Sequence, residues 1–189
     1  MEAFLTSAAL VAIAEIGDKT QLLAIVLATR FKRPWPIVAG IFVATLANHF
    51  LAALAGEQAA SFLEGTWFRY LVAASFIVMA GWTLIPDTFD EGEPKPDRFG
   101  AFLTTLVAFF LVEMGDKTQL ATIALGARFH SVVPVMAGTT VGMLIANIPA
   151  VLLGHEVIKR VPLKTVRLIA ALMFLAIGLW LLAQTAGLI

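Results

Sequence analysis

Glu15-Ile16-Gly17-Asp18-Lys19-Thr20-Gln21 and Glu113-Met114-Gly115-Asp116-Lys117-Thr118-Gln119 are one motif written twice, 98 positions apart. Each copy is set in apolar sequence. The first is preceded by Ala8-Ala9-Leu10-Val11-Ala12-Ile13-Ala14 and followed by Leu22-Leu23-Ala24-Ile25-Val26-Leu27-Ala28. A charge at the centre of a bilayer costs at least about 2.5–3.5 kcal/mol, so charged groups in such a place pair, face a wet cavity or bind an ion.

The surroundings support a membrane reading. The chain is 60% apolar and 14% charged, with a mean hydropathy of +0.91. A soluble domain has roughly 45–50% apolar and about 25% charged residues. The excess is spread over stretches of the length that crosses a bilayer, about 20 residues each. Six spans are expected, at about 4–29, 37–56, 68–85, 99–127, 133–154 and 166–186. The expected fold is an all-α integral membrane protein of six transmembrane helices. Met1-Glu2-Ala3-Phe4 has no basic run or cleavage site and reads as the start of the first span. A net charge of zero gives no basic footprint for nucleic acid, and the absence of cysteine removes thiolate metal sites and disulfides.

The repeat extends far beyond the motif. Under the same shift Arg30-Phe31 meets Arg128-Phe129, Pro36 meets Pro134, and Ala39-Gly40 meets Ala137-Gly138. Gly56, Arg69 and Trp82 meet Gly154, Arg167 and Trp180. The organisation is therefore 1–86 as a first repeat, 87–98 as an acidic Pro/Gly-rich linker, and 99–189 as a second repeat. Three spans per repeat is an odd number, so the second half enters the membrane from the opposite side. In transporters with such inverted repeats the site lies near the midplane, where the repeats meet.

Basic residues set the orientation. Arg30, Lys32, Arg33, Lys95, Arg98, Lys159, Arg160, Lys164 and Arg167 fall on one side, and only Arg69 and Arg128 on the other. The positive-inside rule makes the first side cytoplasmic, which puts both termini outside and the linker inside. Trp35, Trp67 and Trp82 lie near span ends, where tryptophan anchors at the interface.

On a continuous helix Glu15, Asp18, Lys19 and Leu22 share one face, and Glu15 and Asp18 form an i, i+3 pair whose carboxylates can meet. Gly17 either lets another helix approach or lets this helix break and expose its carbonyls. The second copy repeats this, so Glu15, Asp18, Glu113 and Asp116 are the expected metal ligands, with Lys19 and Lys117 offsetting part of their charge. Four close carboxylates need a counter-charge, and a divalent cation and protons compete for the same oxygens. Thr20, Thr118, Gln21 and Gln119 are either further ligands or partners that hold the helices together. The same holds for Asn48, His49 and Asn147, which lie in apolar surroundings; His49 aligns with Asn147. These hard oxygen donors suit calcium, manganese or magnesium, and a His49 nitrogen would tilt the site toward manganese. The plainer alternative is a pair of i, i+4 salt bridges, Glu15 with Lys19 and Glu113 with Lys117.

At these residues the chain resembles the calcium/manganese–proton exchanger family, whose members include bacterial manganese exporters and Golgi cation exchangers. The duplicated Glu-x-Gly-Asp-Lys-Thr motif carries the resemblance, which covers the whole chain. It implies secondary active export of Mn2+ or Ca2+ against protons, with Glu15, Asp18, Glu113 and Asp116 on the cation path. It implies no cofactor, no enzymatic reaction, and a bacterial inner-membrane protein, monomer or homodimer. The competing reading is an exporter of a small organic solute such as an amino acid. A hydrolase fits less well, because acid–base catalysis wants its two carboxyls in unlike surroundings and these recur symmetrically. A passive channel is a further alternative.

Overall fold

A computed structural model describes residues 1–63, 65–86, 100–154 and 162–188. The acidic linker at 87–98 lies outside them, as do Lys95, Arg98, Lys159 and Arg160 of the orientation argument. The described elements are all α-helices: α1 Glu2–Ala14, α2 Lys19–Phe31, α3 Pro34–Phe62, α4 Thr66–Thr83, α5 Gly100–Glu113, α6 Lys117–Phe129, α7 Val132–Leu153 and α8 Leu163–Thr185. Helices α3, α7 and α8 are long and apolar enough to cross a membrane, and α1 and α5 are shorter apolar helices.

The first and fourth expected spans are not continuous helices. Each breaks inside the motif, into α1 and α2 and into α5 and α6. Gly17 and Gly115 take φ of +81° and +78°, a left-handed conformation that glycine adopts without steric cost and that commonly ends helices. Asp18 and Asp116 follow in extended conformation at the N-cap positions of the next helices, a position that favours Asp, and the Asp116 side chain accepts from Thr118 N. The one-face reading of Glu15, Asp18, Lys19 and Leu22 is therefore corrected, and the helix-break reading of Gly17 holds. A helix can stop at membrane depth only where protein or water satisfies its freed backbone groups. Here Gln21 and Gln119 do part of this, each accepting from its motif glycine: Gly17 N donates to Gln21 Oε1 at 2.8 Å and Gly115 N to Gln119 Oε1 at 2.7 Å.

The packing repeats with the sequence. Helix α1 lies on α7 as α5 lies on α3, and α2 touches α7 as α6 touches α3. Small residues permit the contacts. A Cβ on Gly138 would stand 2.4 Å from the Phe4 carbonyl oxygen and 2.9 Å from Ser7 Cβ. A Cβ on Gly40 would stand 2.8 Å from the Phe102 carbonyl oxygen and from Thr105 Cβ. Phe102 and Thr105 are the repeat positions of Phe4 and Ser7. Helices α4 and α8 form an outer pair, joined by Phe76 and Phe174 with ring centroids 6.3 Å apart. Their far sides leave Leu71, Val78, Leu168, Leu172 and Leu179 exposed, an apolar surface that suits acyl chains rather than water.

Candidate metal centre at the paired helix breaks

Each motif is built the same way. Glu15 closes α1 through its N–H to the Val11 carbonyl at 2.9 Å, and its own carbonyl accepts from Asp18 N at 3.1 Å. In the second copy Asp116 N donates to the Glu113 carbonyl, also at 3.1 Å. Glu, Gly and Asp thus make one tight turn between two helices, which turns the carboxylates inward. Glu15, Asp18, Glu113 and Asp116 are all buried, none more than 4% exposed.

Glu15, Glu113 and Asp116 each place one carboxylate oxygen within 4.8 Å of the others. This group draws on both repeats. Asp18 stands outside it and lies 3.7 Å from Lys117 Nζ. Lys19 Nζ is 2.8 Å from Asp116 Oδ1. The lysines therefore pair across the two motifs, each with the other copy's aspartate.

The hydroxyls are shared unequally. Thr20 Oγ1 donates to Glu15 Oε2 at 2.5 Å, and Thr118 Oγ1 donates to Glu15 Oε1. Among the described residues Glu113 has no hydrogen-bond partner at either oxygen. His49 lies beside it, with Nε2 3.5 Å from Glu113 Oε1. Gln21 Nε2 donates to the Ala146 carbonyl at 2.8 Å, and Gln119 Nε2 donates to Asn48 Oδ1 at 2.8 Å. Asn48 Nδ2 in turn donates to the Phe110 carbonyl at 3.1 Å. Ala146 is the repeat position of Asn48, so a backbone carbonyl in one half takes the place of a side-chain amide in the other. Asn147 Nδ2 donates to the Met143 carbonyl at 3.0 Å, and its Oδ1 is buried without a partner.

Sequence reasoning missed two contributors. One is the pair of helix carbonyls, at Ala146 and Phe110, that anchor Gln21 and Asn48. The other is Leu163, whose Cδ2 would lie 2.5 Å from a Cβ on Gly17. The only trace of Leu163 in the sequence is a departure from the repeat, since its counterpart is Gly65. At the matching point of the second break, no described residue lies within 4 Å of a Cβ on Gly115. A cavity of about 680 Å³ lined by Arg69, Arg128 and His130 lies elsewhere and is bounded by none of the motif carboxylates.

The chain is similar to known proteins over most of its length. The family model described as divalent cation/proton antiporter GDT1 matches residues 3–91 and 101–188. A Vibrio cholerae protein provisionally named a manganese exporter is 48% identical over 170 residues, covering 89% of this chain and 84% of the relative. A GDT1-like protein of Synechocystis is 32% identical, covering 92% of this chain and 93% of the relative. GDT1-like protein 4 of Arabidopsis thaliana is 27% identical, covering 95% and 94%. No solved structure matches. With both halves matched by the family model, and the duplicated motif buried where the two halves meet, this chain belongs to the GDT1 family of divalent cation/proton antiporters.

Proposed function

We propose that the protein exports a divalent cation, Mn2+ first and Ca2+ as the alternative, in exchange for protons, through the carboxylates of the paired motifs. The observation that carries this reading is the meeting of Glu15, Glu113 and Asp116 oxygens within 4.8 Å, from both repeats, in a buried setting. Asp18 completes the acidic set through its pairing with Lys117. Thr20 and Thr118 tune Glu15, while Gln21, Gln119 and Asn48 hold the helix breaks in shape.

Charge explains why a cation and protons would alternate. With every group ionised, four carboxylates and two lysines leave two negative charges uncompensated. Leaving buried charge unbalanced is expensive, so the site is stable with one divalent cation or with protons in its place. Binding of metal then releases protons, and protonation releases metal. The name of the Vibrio cholerae relative favours Mn2+ within this scheme.

The wider arrangement we propose is six spans in two inverted three-helix repeats, with the broken α1–α2 and α5–α6 units each serving as one span. The matched packing of α1 on α7 and α5 on α3 supports it. Both termini face outward and the linker faces the cytoplasm, in the inner membrane of a bacterium, by the distribution of Lys and Arg. Against the small-solute alternative stands the dominance of acids among the buried charged groups, which favours a bare cation.

Everted vesicles or proteoliposomes carrying the protein test this. With an imposed pH gradient, Mn2+ and Ca2+ are followed by indicator dyes and protons by a pH-sensitive dye. Metal movement coupled to proton counter-flow is expected, and its loss in Glu15→Gln and Asp116→Asn at unchanged expression. Normal transport by both variants would remove the carboxylates from the path.

A further inference from the structure

His49 is a donor that the carboxylate scheme does not use. It sits on α3 beside Asn48 and is fully buried. Among the described residues neither ring nitrogen has a hydrogen-bond partner, and neither does either oxygen of Glu113. Buried polar atoms without partners are few in folded proteins and call for an explanation such as an absent ion. Two of these atoms, His49 Nε2 and Glu113 Oε1, stand 3.5 Å apart.

The distance fits two ligands of one cation. Metal–ligand bonds of about 2.0–2.6 Å put adjacent donors about 3–3.7 Å apart. Asn48 is anchored on both sides, to Gln119 and to the Phe110 carbonyl, which fixes this turn of α3 and so the ring that follows. The repeat position is Asn147, also fully buried, with Oδ1 unpartnered. The two halves are thus alike in presenting a buried lone-pair donor at this point, but one offers nitrogen and the other oxygen.

We infer that His49 is a ligand of the transported ion on the Glu113 side of the site, and that this imidazole makes the protein prefer Mn2+ to Ca2+ and Mg2+. The inference rests on the export reading above. His49 stands outside the cluster of three carboxylates and meets it at Glu113; the side-chain donors of the cluster itself are carboxylate oxygens, with the Thr20 and Thr118 hydroxyls on Glu15. Calcium and magnesium take oxygen ligands, while imidazole suits transition metals, whose affinity for a nitrogen-bearing site exceeds that of alkaline-earth ions. A purely oxygen cage would give the site no such basis for choosing. Had His49 served only to orient Glu113, a hydrogen bond of ordinary length would be expected between them.

Two measurements on the full-length protein test the claim. In proteoliposomes, initial rates for Mn2+, Ca2+ and Mg2+ are compared between the natural protein and His49→Asn, which copies the other repeat, with His49→Gln as a second variant. The Mn2+/Ca2+ ratio of kcat/KM is expected to fall about ten-fold or more. An unchanged ratio, with both ions slowed alike, would overturn the inference and leave the export reading standing. Electron spin-echo spectroscopy of Mn2+ bound to the purified natural protein supplies the second readout, independent of transport. Nitrogen modulation that changes on heavy-nitrogen histidine labelling is expected, and its absence would overturn the ligand assignment. No movement of any of the three ions by the natural protein would instead count against the export reading.

Discussion

Lys19 Nζ stands 2.8 Å from Asp116 Oδ1, so the lysine of the first motif neutralises the aspartate of the second. The reciprocal contact, Lys117 with Asp18, is longer at 3.7 Å. These cross-pairs tie the two helix breaks to each other. They also explain why the motif carries lysine directly after aspartate: the aspartate stands at the N-cap position, and the lysine in the helix's first turn reaches across to the other copy.

Lys19→Met would leave Asp116 buried without its close cation. Removing one partner of a fully buried pair costs about 3–5 kcal/mol. The Lys19 side chain is 26% exposed, so screening lowers the expected loss to about 1–3 kcal/mol. Thermal unfolding in detergent should show a clear drop in Tm, relieved in part by Asp116→Asn in the same chain. An unaltered Tm for Lys19→Met would mean that the pair contributes nothing.

The two motif glycines should differ in tolerance. Both need a left-handed φ, which costs a residue with a Cβ about 1–2 kcal/mol. Gly17→Ala also drives its methyl into Leu163, whereas Gly115→Ala meets no described residue within 4 Å. The first substitution is therefore expected to cost more stability and more transport than the second. Smaller damage from Gly17→Ala than from Gly115→Ala would contradict the cover that Leu163 provides. The variant Leu163→Ala should recover part of the Gly17→Ala defect, because it removes the obstruction.

Exchange of one divalent cation for two protons should carry no net charge, given two uncompensated charges at the site. Transport driven by a pH gradient should then run at the same rate whether the membrane potential is clamped at zero or at about 100 mV, a difference that would act on each uncompensated charge with about 2.3 kcal/mol. A rate that follows the potential would point to another stoichiometry.

Helix packing gives a control pair away from the ion. A Cβ on Gly56 would lie 2.0 Å from the Ile123 carbonyl oxygen, where α3 meets α6 backbone to backbone. Gly56→Ala must push these helices apart and should cost about 1–3 kcal/mol or more. Gly81 in α4 has nothing within 4 Å of the same added atom. Gly81→Ala should leave stability unchanged or raise it by about 0.5–1 kcal/mol. Equal effects from the two substitutions would argue against the close α3–α6 contact.

Much of this was legible in the residues. The apolar stretches placed the described helices to within a few positions for α4, α7 and α8, because burial in lipid leaves a strong compositional mark. Helix α3 runs longer than the expected 37–56, from Pro34 to Phe62, since hydropathy does not register its first turn at Pro34-Trp35-Pro36 or its polar continuation at Glu57-Gln58. The 98-residue repeat and the identity of the acidic residues also came directly from sequence. The breaks at Gly17 and Gly115 did not, as a glycine inside an apolar run serves equally well as a packing surface or a stop.

Sequence alone determined the environment, the doubling and the chemical character of the site: apolar length selects the bilayer, and a repeated buried acid demands a counter-charge. Tertiary structure decided which groups actually meet. It put Asp18 on Lys117 and not among the three clustered carboxylates, gave both threonine hydroxyls to Glu15, and left Glu113 facing His49. The reason is geometric. Contacts between residues about a hundred positions apart depend on how broken helices cross, and no local pattern in either repeat encodes that crossing.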